Sequence, residues 1–242
     1  MKKMTNYHKD NPATIQKMFD SIAKHYDKTN AILSFCLHKH WNKTFIKQTI
    51  TPAQPEILLD LCCGTGAIAF GYLKHIPDPL KVYLLDFSEG MLQCAKDQAK
   101  KLDVVHHDLY YLQADAQTIP LLNHSVDCAT IAYGIRNVKD SSRCIKDVYR
   151  VLKPGGSFGI LELTQPSRPI LKSLHRFYLK NILPLVGKFA TSDKEAYRYL
   201  CNSIQTFVPP ETLKTQMKEA GFEKIRQISC TGGIATIIVG SK

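Results

Sequence analysis

Three aspartates occupy positions from which their carboxylates could bind different groups of one ligand. Asp60, Asp86 and Asp115 each lie near or just beyond the end of a short apolar run. The second acid can accept both hydroxyls of a ribose, and the third can accept an adenine amino group. The first suits a cationic or hydrogen-bond-donating group. Each acid alone could equally be a helix cap or a surface charge, but their order is the one that a ligand combining a nucleoside and an amino acid requires.

A small turn follows the first of these acids. Gly64 and Gly66 would let the backbone pass close to a ligand, because no Cβ blocks the approach. N–H groups at the start of a helix near Ala67 would favour a carboxylate or phosphate. Neither G-x-G-x-x-G nor the Gly-Lys-Ser/Thr of a P-loop is present. The predicted cofactor-binding residues are Asp60, Gly64, Thr65, Gly66, Asp86, Asp115 and, through a backbone N–H, Ala116.

Alternating strands and helices must position these residues. The apolar runs predict seven strands, at 57–61, 81–86, 110–114, 127–131, 157–163, 224–230 and 235–240. Ser88 and Asp140 are predicted helix N-caps, the second for a helix over 140–152, and a further helix is predicted over 210–220. The alternation predicts an α/β fold with a doubly wound, Rossmann-like and mostly parallel sheet.

Other segments flank this sheet. Amphipathic spacing predicts N-terminal helices over about 12–50, and two prolines predict a linker over 51–56. A turn is predicted at 154–156. The stretch from about 166 to 210 is predicted to form a helical cap insertion in a single domain spanning 1–242.

The composition predicts a globular protein of a reducing compartment. Of 242 residues, 44% are hydrophobic, and no apolar stretch approaches the ~18 residues of a membrane-spanning helix. No apolar region follows the basic start of the chain, so we expect no secretory signal. The eight cysteines include no C-x-x-C pair, which favours reduced thiols in the cytoplasm.

The net charge of +11 has several possible explanations. Nucleic acid, an anionic membrane face or an acidic small molecule could each be the partner, and a basic surface could also simply aid solubility. His38 and His40 are close in sequence, but no nearby Cys, Asp or Glu completes a ligand set. We therefore expect no metal.

Several strings resemble one enzyme class and one family within it. The three acids, the G-x-G turn and LKPGG are similar to motifs of class I S-adenosylmethionine methyltransferases. FDSIAKHYDKTNAILS, HKHW, TIAYGIRNVKD, RVLKPGGSFGILEL, EAYRYLCNSI and AGFEKI with TGGI resemble the menaquinone/ubiquinone-biosynthesis C-methyltransferases, over about residues 15–240. The chain departs from this family at Cys62-Cys63, Ala67 and Ala132, where members often have Ala-Gly, Asp and Ser. Because cysteine is small enough for the turn, we expect cofactor binding to be retained.

The resemblance implies a reaction. S-adenosylmethionine would donate a methyl group to a ring carbon of a polyprenyl quinol, converting demethylmenaquinol to menaquinol, with the corresponding benzoquinol as the alternative. A quinol that loses a hydroxyl proton places charge on the adjacent carbon, whereas an oxidised quinone carbon is electrophilic. We therefore expect the reduced ring to be the substrate.

Residues after the fourth predicted strand lie where substrate meets cofactor in this fold. Arg136 is not expected to act as a free base at its usual pKa. It could steady a quinolate oxygen or hold a water that takes the proton, or it could simply tie the loop together by hydrogen bonds. The predicted catalytic residues are Arg136, Asn137 and Tyr133, with Asp27, Tyr197 and Tyr199 as further candidates.

The cap insertion combines basic and apolar residues. Lys172, Arg176 and Lys180 are spaced four apart, with leucines, Phe177 and Ile182 among them. The segment could cover the domain, or it could rest on a membrane and admit a polyprenyl tail, and the net charge fits an anionic inner leaflet. We expect a cytoplasmic protein, with a membrane-surface location and a homodimer left open.

Two other functional classes remain open from the residues alone. DNA methyltransferases that modify amino groups usually carry an Asn/Asp-Pro-Pro-aromatic string, and this chain has Ala132-Tyr133-Gly134 at that place. We therefore expect no nucleic-acid partner. A non-enzymatic scaffold that keeps the fold is disfavoured by the intact acids and glycines.

Overall fold

A central sheet organises the part of the chain that the computed structural model describes, which is residues 7, 9–183 and 194–242 without the side chains of 194 and 197. The strands are β1 (Ile57–Leu61), β2 (Lys81–Asp86), β3 (Asp108–Gln113), β4 (Val126–Ala132), β5 (Leu152–Leu163), β6 (Glu223–Cys230) and β7 (Ala235–Ser241). Their order in the sheet is β3-β2-β1-β4-β5-β7-β6. The pairs among β1 to β5 are parallel, and β7 runs antiparallel to β5 and β6. The predicted seven-stranded, mostly parallel sheet is confirmed.

Helices flank the sheet along the described ranges. They are α1 (Pro12–Ile22), α2 (Tyr26–Leu33), α3 (Leu37–Ala53), α4 (Ala67–Leu73), α5 (Glu89–Lys101), α6 (Ser141–Val151), α7 (Pro169–Phe177), α8 (Lys194–Thr206) and α9 (Pro210–Ala220), with a π-helical turn at Tyr178–Ile182. Both predicted N-caps are confirmed, since Ser88 Oγ accepts the N–H of Met91 at 3.1 Å and Asp140 Oδ1 that of Arg143 at 3.0 Å. None of the helices described is long and apolar enough to cross a membrane.

Successive strand residues face two separate apolar layers, as expected for a sheet covered on both faces. Leu58 and Leu84 pack in one cluster with α3, α4 and α5, whereas Leu59 and Leu85 pack in the other with α6 and α9. The sheet is therefore fixed between two helical layers, and its carboxyl edge is held in place for a binding site.

The predicted linker over 51–56 is wrong in its first half. Thr51, Pro52 and Ala53 continue α3 to its end. Proline lacks the N–H that would bond to the carbonyl four residues earlier, which is that of Gln48. Arg226 donates to this carbonyl instead, so a tertiary contact stabilises a helical turn that the local sequence disfavours.

The predicted turn at 154–156 is also revised, because these residues belong to β5. Leu152 pairs with Val126 of β4, and the next pair is Ser157 with Cys128, so the strand bulges between them. Gly155 has a φ of +78°, and its N–H donates to the carbonyl of Lys242. Gly155 thus shapes a bulge that is hydrogen-bonded to Lys242.

The predicted cap insertion is described in part. α7, the π-helical turn and α8 fall within it, and residues 184–193 lie outside the described residues. The extent of the domain stays a prediction.

The chain leaves the centre of the sheet in both directions. From β1 it proceeds outward to β2 and β3, then returns to place β4 on the other side of β1. In open α/β sheets, ligands bind outside the carboxyl ends of the strands at such a point. Asp60 lies there, level with Leu84 of β2 and Thr130 of β4.

Candidate active site

Asp60 is almost completely buried at the carboxyl end of β1. The hydroxyl of Thr130 donates to its Oδ1 at 2.7 Å, and the N–H of Ala69 donates to Oδ2 at 3.4 Å. Burial raises the pKa of Asp60 to about 7, because the charged form is poorly solvated there. A cation or strong hydrogen-bond donor placed beside this carboxyl would lower its pKa. The resulting carboxylate charge would in turn hold the bound group.

Asp86 closes β2 and reaches toward the glycine turn. Its Oδ2 accepts the N–H of Gly64 at 2.8 Å, and its Oδ1 accepts that of Ser88 at 2.9 Å. Burial raises the pKa of Asp86 to about 6. A carboxylate oxygen can accept more than one hydrogen bond, so both oxygens retain capacity for a hydroxyl pair.

Asp115 and Ala116 follow β3 on the same side as Asp86. Asp115 Oδ1 accepts the backbone N–H of Gln117 at 2.9 Å, and the side-chain amide of Gln117 donates to Oδ2 at 2.8 Å. Ala116 is buried beside them. The acids predicted for the second and third strands therefore do lie together.

The turn between β1 and α4 is built by two glycines in left-handed conformations. Gly66 has a φ of +83°, and a Cβ there would lie 2.2 Å from the ring of Phe70. Gly64 has a φ of +54°, and a Cβ there would meet nothing nearer than Tyr26 at 3.9 Å. The space in front of Gly64 is therefore open. The hydroxyl of Thr65 donates to Asp27 Oδ1 at 2.8 Å, and both residues line the larger cavity described below.

Helix α1 covers this edge of the sheet through side chains that sequence reasoning did not place in the site. Asp20 Oδ1 accepts the hydroxyl of Ser88 at 2.5 Å and the N–H of Gly90 at 3.0 Å. Gln16 Nε2 donates to the carbonyl of Phe87 at 3.1 Å. The string from Phe19 to Asn30 was the available signal, because it pairs acids with aromatic residues, but their partners lie about seventy residues away.

Two cavities open on the carboxyl edge of the sheet. We call the first the acid-lined cavity, and its walls include Asp86, Asp115 and Ala116, with Ile15 and Phe19 of α1. The second, the larger cavity, has a volume of about 1050 Å³. Its walls include Asp60 and Arg136, apolar side chains from α3, the π-helical turn and α8, and several lysines and histidines.

The two cavities share part of their lining. The shared residues are Tyr26, Cys62, Gly64, Ala132 and Tyr133. A group bound among the strand-end acids would thus face a molecule in the larger cavity across this boundary. That arrangement is suited to moving a small group from one bound molecule to another.

Arg136 is buried in the wall of the larger cavity, close to Tyr133 of the boundary, and is held by Glu162 of β5. Its Nη1 forms an ion pair with Glu162 Oε1 at 2.5 Å, and its backbone N–H donates to Oε2 at 3.2 Å. Nη1 also donates to the carbonyl of Tyr133 at 2.5 Å. These bonds tie the loop together, which was the alternative to a catalytic role. The catalytic role stays a prediction, and it has one further support: Arg136 Nε is buried with no partner among the described atoms.

Tyr133 and Asn137 lie beside this arginine. The hydroxyl of Tyr133 donates to Asn42 Oδ1 at 2.8 Å, and that of Tyr199 donates to Asn137 Oδ1 at 3.0 Å. Burial, with Glu162 nearby, holds the pKa of Tyr133 well above its usual value, and burial raises that of Tyr199 to about 12. Both tyrosines therefore carry neutral hydroxyls near neutral pH.

Glu162 is the residue of this cluster that sequence reasoning missed. A carboxylate in the otherwise apolar run of β5 was the signal that could have found it, since acids are rarely buried without a partner. The side chain of Tyr197, a further candidate, lies outside the described residues.

His38 and His40 do not form part of a metal site among the described residues, where no group of three or more potential ligands occurs. The Nδ1 of His38 lies 2.7 Å from the hydroxyl of Ser34. That contact gives His38 a local structural partner in the turn between α2 and α3.

The fold is the one found in Rossmann-like, S-adenosylmethionine-dependent methyltransferases. A methyltransferase of this kind from Thermotoga maritima, described as a possible histamine N-methyltransferase, superposes with a TM-score of 0.64 over 94% of this chain and 99% of that one. The sequence identity is 20%, so the likeness shows the fold alone. A chain from the Haloferax volcanii complex of the Trm112 activator with a putative methyltransferase gives a TM-score of 0.62 at 17% identity, over 92% of this chain and 96% of that one.

Within that class, the chain belongs to the ubiE/COQ5 methyltransferase family, whose model matches residues 4–242. Demethylmenaquinone methyltransferase of Protochlamydia amoebophila is 50% identical over 239 residues, 99% of each chain. The protein of the same name from Chlamydia caviae is 37% identical over 96% of this chain and 97% of its own. The ubiquinone/menaquinone biosynthesis C-methyltransferase UbiE of Haemophilus ducreyi is 36% identical over 94% of this chain and 87% of its own. The family predicted from the motifs is confirmed, and the chain is a methyltransferase.

Proposed function

We propose that this methyltransferase converts demethylmenaquinol to menaquinol by methylating a ring carbon. The observation that carries the proposal is the pair of cavities that meet at Gly64 and Tyr133, one lined by strand-end acids and the other extending along apolar side chains. A polar nucleoside ligand suits the first, and an aromatic ring with a prenyl tail suits the second. The names of the chlamydial relatives support the naphthoquinol over the benzoquinol, which stays the alternative.

The donor groups of S-adenosylmethionine fit the residues of the acid-lined cavity. Asp86 would accept from the ribose hydroxyls and Asp115 from the adenine amino group, with the N–H of Ala116 at a ring nitrogen. Asp60 lines the larger cavity and not the acid-lined one, so it would face the amino acid part of a ligand that crosses the boundary at Gly64, where there is room for the backbone to approach it. When bound, the cofactor supplies a methyl group on a sulfonium sulfur.

The residues at the boundary would prepare the ring carbon. Arg136 is fixed by Glu162 and has an unpartnered, buried Nε, so a quinolate oxygen placed there would receive a charge-assisted hydrogen bond. This donor would stabilise the charge that makes the adjacent carbon nucleophilic. Tyr133 would hold the ring, as a neutral hydroxyl because its pKa is raised. Asn137 lines the acid-lined cavity and would act from the cofactor side. The ring carbon would accept the methyl group as the sulfur–methyl bond breaks, and it would then pass its proton to a water.

A labelled-methyl assay tests this function. Purified protein is incubated with S-adenosylmethionine carrying a labelled methyl group and with demethylmenaquinol, and the extracted quinone is analysed by mass. We expect one labelled methyl on the ring, and none when the substrate is kept oxidised. A demethylated benzoquinol tested in parallel separates the alternative. Equal labelling of quinol and quinone would contradict the mechanism, and labelling of neither ring would contradict the function.

We also propose where the protein works. Its substrate would carry an apolar tail, so a cytoplasmic enzyme must meet it at the inner face of the membrane. Fractionation at low and high salt tests this location. We expect release from membranes by salt, and a protein absent from the membrane fraction at low salt would contradict it.

A further inference from the structure

Exposed apolar side chains are concentrated on two neighbouring segments. Among the described residues, eleven large hydrophobic side chains are exposed, and seven of them lie in segments 32–37 and 170–182. Phe35 is 71% exposed and Phe177 is 58% exposed. We call the seven together the cap surface: Ile32, Phe35, Leu37, Ile170, Leu174, Phe177 and Ile182. Clusters of this kind mark a site of interaction, whereas single exposed apolar residues do not.

Direct contacts hold the two segments together. The hydroxyl of Tyr178 donates to the carbonyl of Leu33 at 2.5 Å, and the rings of Tyr178 and Phe35 lie 6.0 Å apart. Beneath them, Leu33 packs with Leu179 and Leu183 in one buried cluster. The cap surface is therefore one surface supported by its own small core.

The backbone under Phe35 is strained. Phe35 has a φ of +48° and Cys36 one of +60°. Left-handed conformations are unfavourable for bulky residues. These two successive residues place the ring of Phe35 in solvent, where it contributes little to the stability of the fold. That combination favours a role for Phe35 outside the folded core.

The charge around this surface has one sign. Residues 32–47 and 166–183 contain no aspartate or glutamate. The exposed basic residues in these two stretches are Lys39, His40, Lys43, Lys47, Arg168, Lys172, Arg176 and Lys180. Exposed apolar side chains accompanied by cations in the same two stretches are complementary to a bilayer that carries anionic headgroups.

The larger cavity reaches the same place. Its walls include Leu33, Ser34 and His38 from the first segment and His175, Tyr178 and Leu179 from the second. The residues that line the outer part of the cavity are thus the immediate neighbours of the exposed ones. A tail that leaves the cavity here would emerge among the apolar side chains of the cap surface.

We propose that the cap surface docks on an anionic bilayer and so places the larger cavity at the lipid boundary, where a prenylated substrate can enter from the membrane. The inference rests on the proposed function for the identity of that substrate. The docking itself depends only on the exposed side chains and their charges.

Vesicle flotation tests the docking without any substrate. The full chain is mixed with vesicles of phosphatidylcholine alone or of phosphatidylcholine with phosphatidylglycerol. We expect binding to the mixed vesicles, and at least ~10-fold weaker binding for Phe35→Ser/Phe177→Ser, on the scale of two lost apolar contacts. Lys172→Glu/Arg176→Glu should lose the preference for anionic lipid. Leu122→Ser is the matched control, because Leu122 is 82% exposed and precedes the amino end of β4, whereas the cavities lie at the carboxyl ends of the strands.

An activity comparison links docking to substrate entry. Neither phenylalanine lines the larger cavity. Phe35→Ser/Phe177→Ser should therefore methylate a tail-less, water-soluble quinol at the normal rate and a long-tailed quinol in mixed vesicles several-fold more slowly. Equal losses on both substrates would overturn the role in entry.

The failure of docking and the failure of the proposed function are distinguishable. The docking surface would be overturned if the wild type bound both kinds of vesicle and Phe35→Ser/Phe177→Ser bound them equally well. So would a dimer in sedimentation that dissociates in Phe35→Ser/Phe177→Ser, since the surface would then bind a second copy. If flotation gave the expected result but no quinol were methylated, the docking surface would be supported and the proposed function would be overturned.

Discussion

The carboxylate of Asp86 already accepts N–H groups from Gly64 and Ser88, so it links the glycine turn to the start of α5. Asp86→Ala removes these acceptors and the proposed acceptor of the ribose hydroxyls. We expect S-adenosylmethionine affinity to fall by ~10- to 100-fold, the scale of one or two charge-assisted hydrogen bonds. Titration calorimetry on the folded variant measures it.

The control for this substitution is Asp78→Ala. Asp78 is exposed in the segment that precedes β2, at the end of the strand away from the site. Its replacement should leave cofactor affinity unchanged. A folded Asp86→Ala variant with normal affinity would remove Asp86 from the binding residues.

Arg136 and Glu162 form a buried pair, so their single and double variants separate chemistry from stability. Arg136→Gln leaves the carboxylate of Glu162 buried without its partner, which costs about 3–5 kcal/mol of the free energy of unfolding. The same change removes the proposed oxyanion donor and should lower the single-turnover rate by ~100-fold or more. Denaturant unfolding and a single-turnover assay measure the two effects on one protein.

The double variant Arg136→Gln/Glu162→Gln provides the decisive comparison. Two neutral amides can pair, so we expect stability to recover toward that of the wild type while the rate stays low. Recovery of both quantities would show that Arg136 only holds the loop. Tyr133 and Asp27 would then be the next candidates for the catalytic role.

At the scale of elements, α1 is attached to the carboxyl edge of the sheet by a few polar contacts. Asp20→Ala removes the bonds to Ser88 and Gly90. We expect S-adenosylmethionine affinity to fall by ~10-fold, since about 1 kcal/mol is typical of each such bond. Protease cleavage within α1 should also become faster, because local opening requires less free energy.

Lys17→Ala is the matched control, because Lys17 is an exposed residue of the same helix. It should change neither quantity. Unchanged cofactor affinity in Asp20→Ala, with faster cleavage of α1, would show that the helix covers the site without contributing to binding.

The elements show what the sequence could and could not predict. Apolar runs and local caps are short-range signals, so the strands, the N-caps of α5 and α6 and the positions of Asp60, Asp86 and Asp115 followed from them. The continuation of α3 through Pro52 could not be predicted, because Arg226 satisfies the freed carbonyl from far along the chain. Glu162 was missed for the same reason, since its partner is set by the tertiary fold.

For the whole molecule, burying two carboxyls at one edge of the sheet couples folding to pH. Burial raises the pKa of Asp60 to about 7 and that of Asp86 to about 6. Between roughly pH 4 and pH 7 the folded state therefore binds more protons than the unfolded state at these sites. Their contribution makes stability fall as the pH rises through this window.

Histidines that are partly or fully buried act in the opposite direction. Burial lowers the pKa of His38, His107 and His175, so the unfolded state takes up protons more readily below about pH 6.5. Their contribution makes stability rise with pH up to that point. A single pH profile would mix the two effects, and a matched variant is needed to separate them.

Asp60→Asn supplies that comparison, because it keeps the size of the side chain and removes its titration. From pH 5 to pH 8 the wild type should lose on the order of 1–4 kcal/mol of unfolding free energy relative to Asp60→Asn.

Saturating S-adenosylmethionine should reduce this loss in the wild type, since a cationic group beside Asp60 would favour its charged form. Its affinity for the wild type should accordingly rise with pH across the same window. Denaturant unfolding at a series of pH values, with and without the cofactor, measures both. Parallel pH profiles for the two proteins would show that Asp60 is already ionised in the folded, ligand-free state.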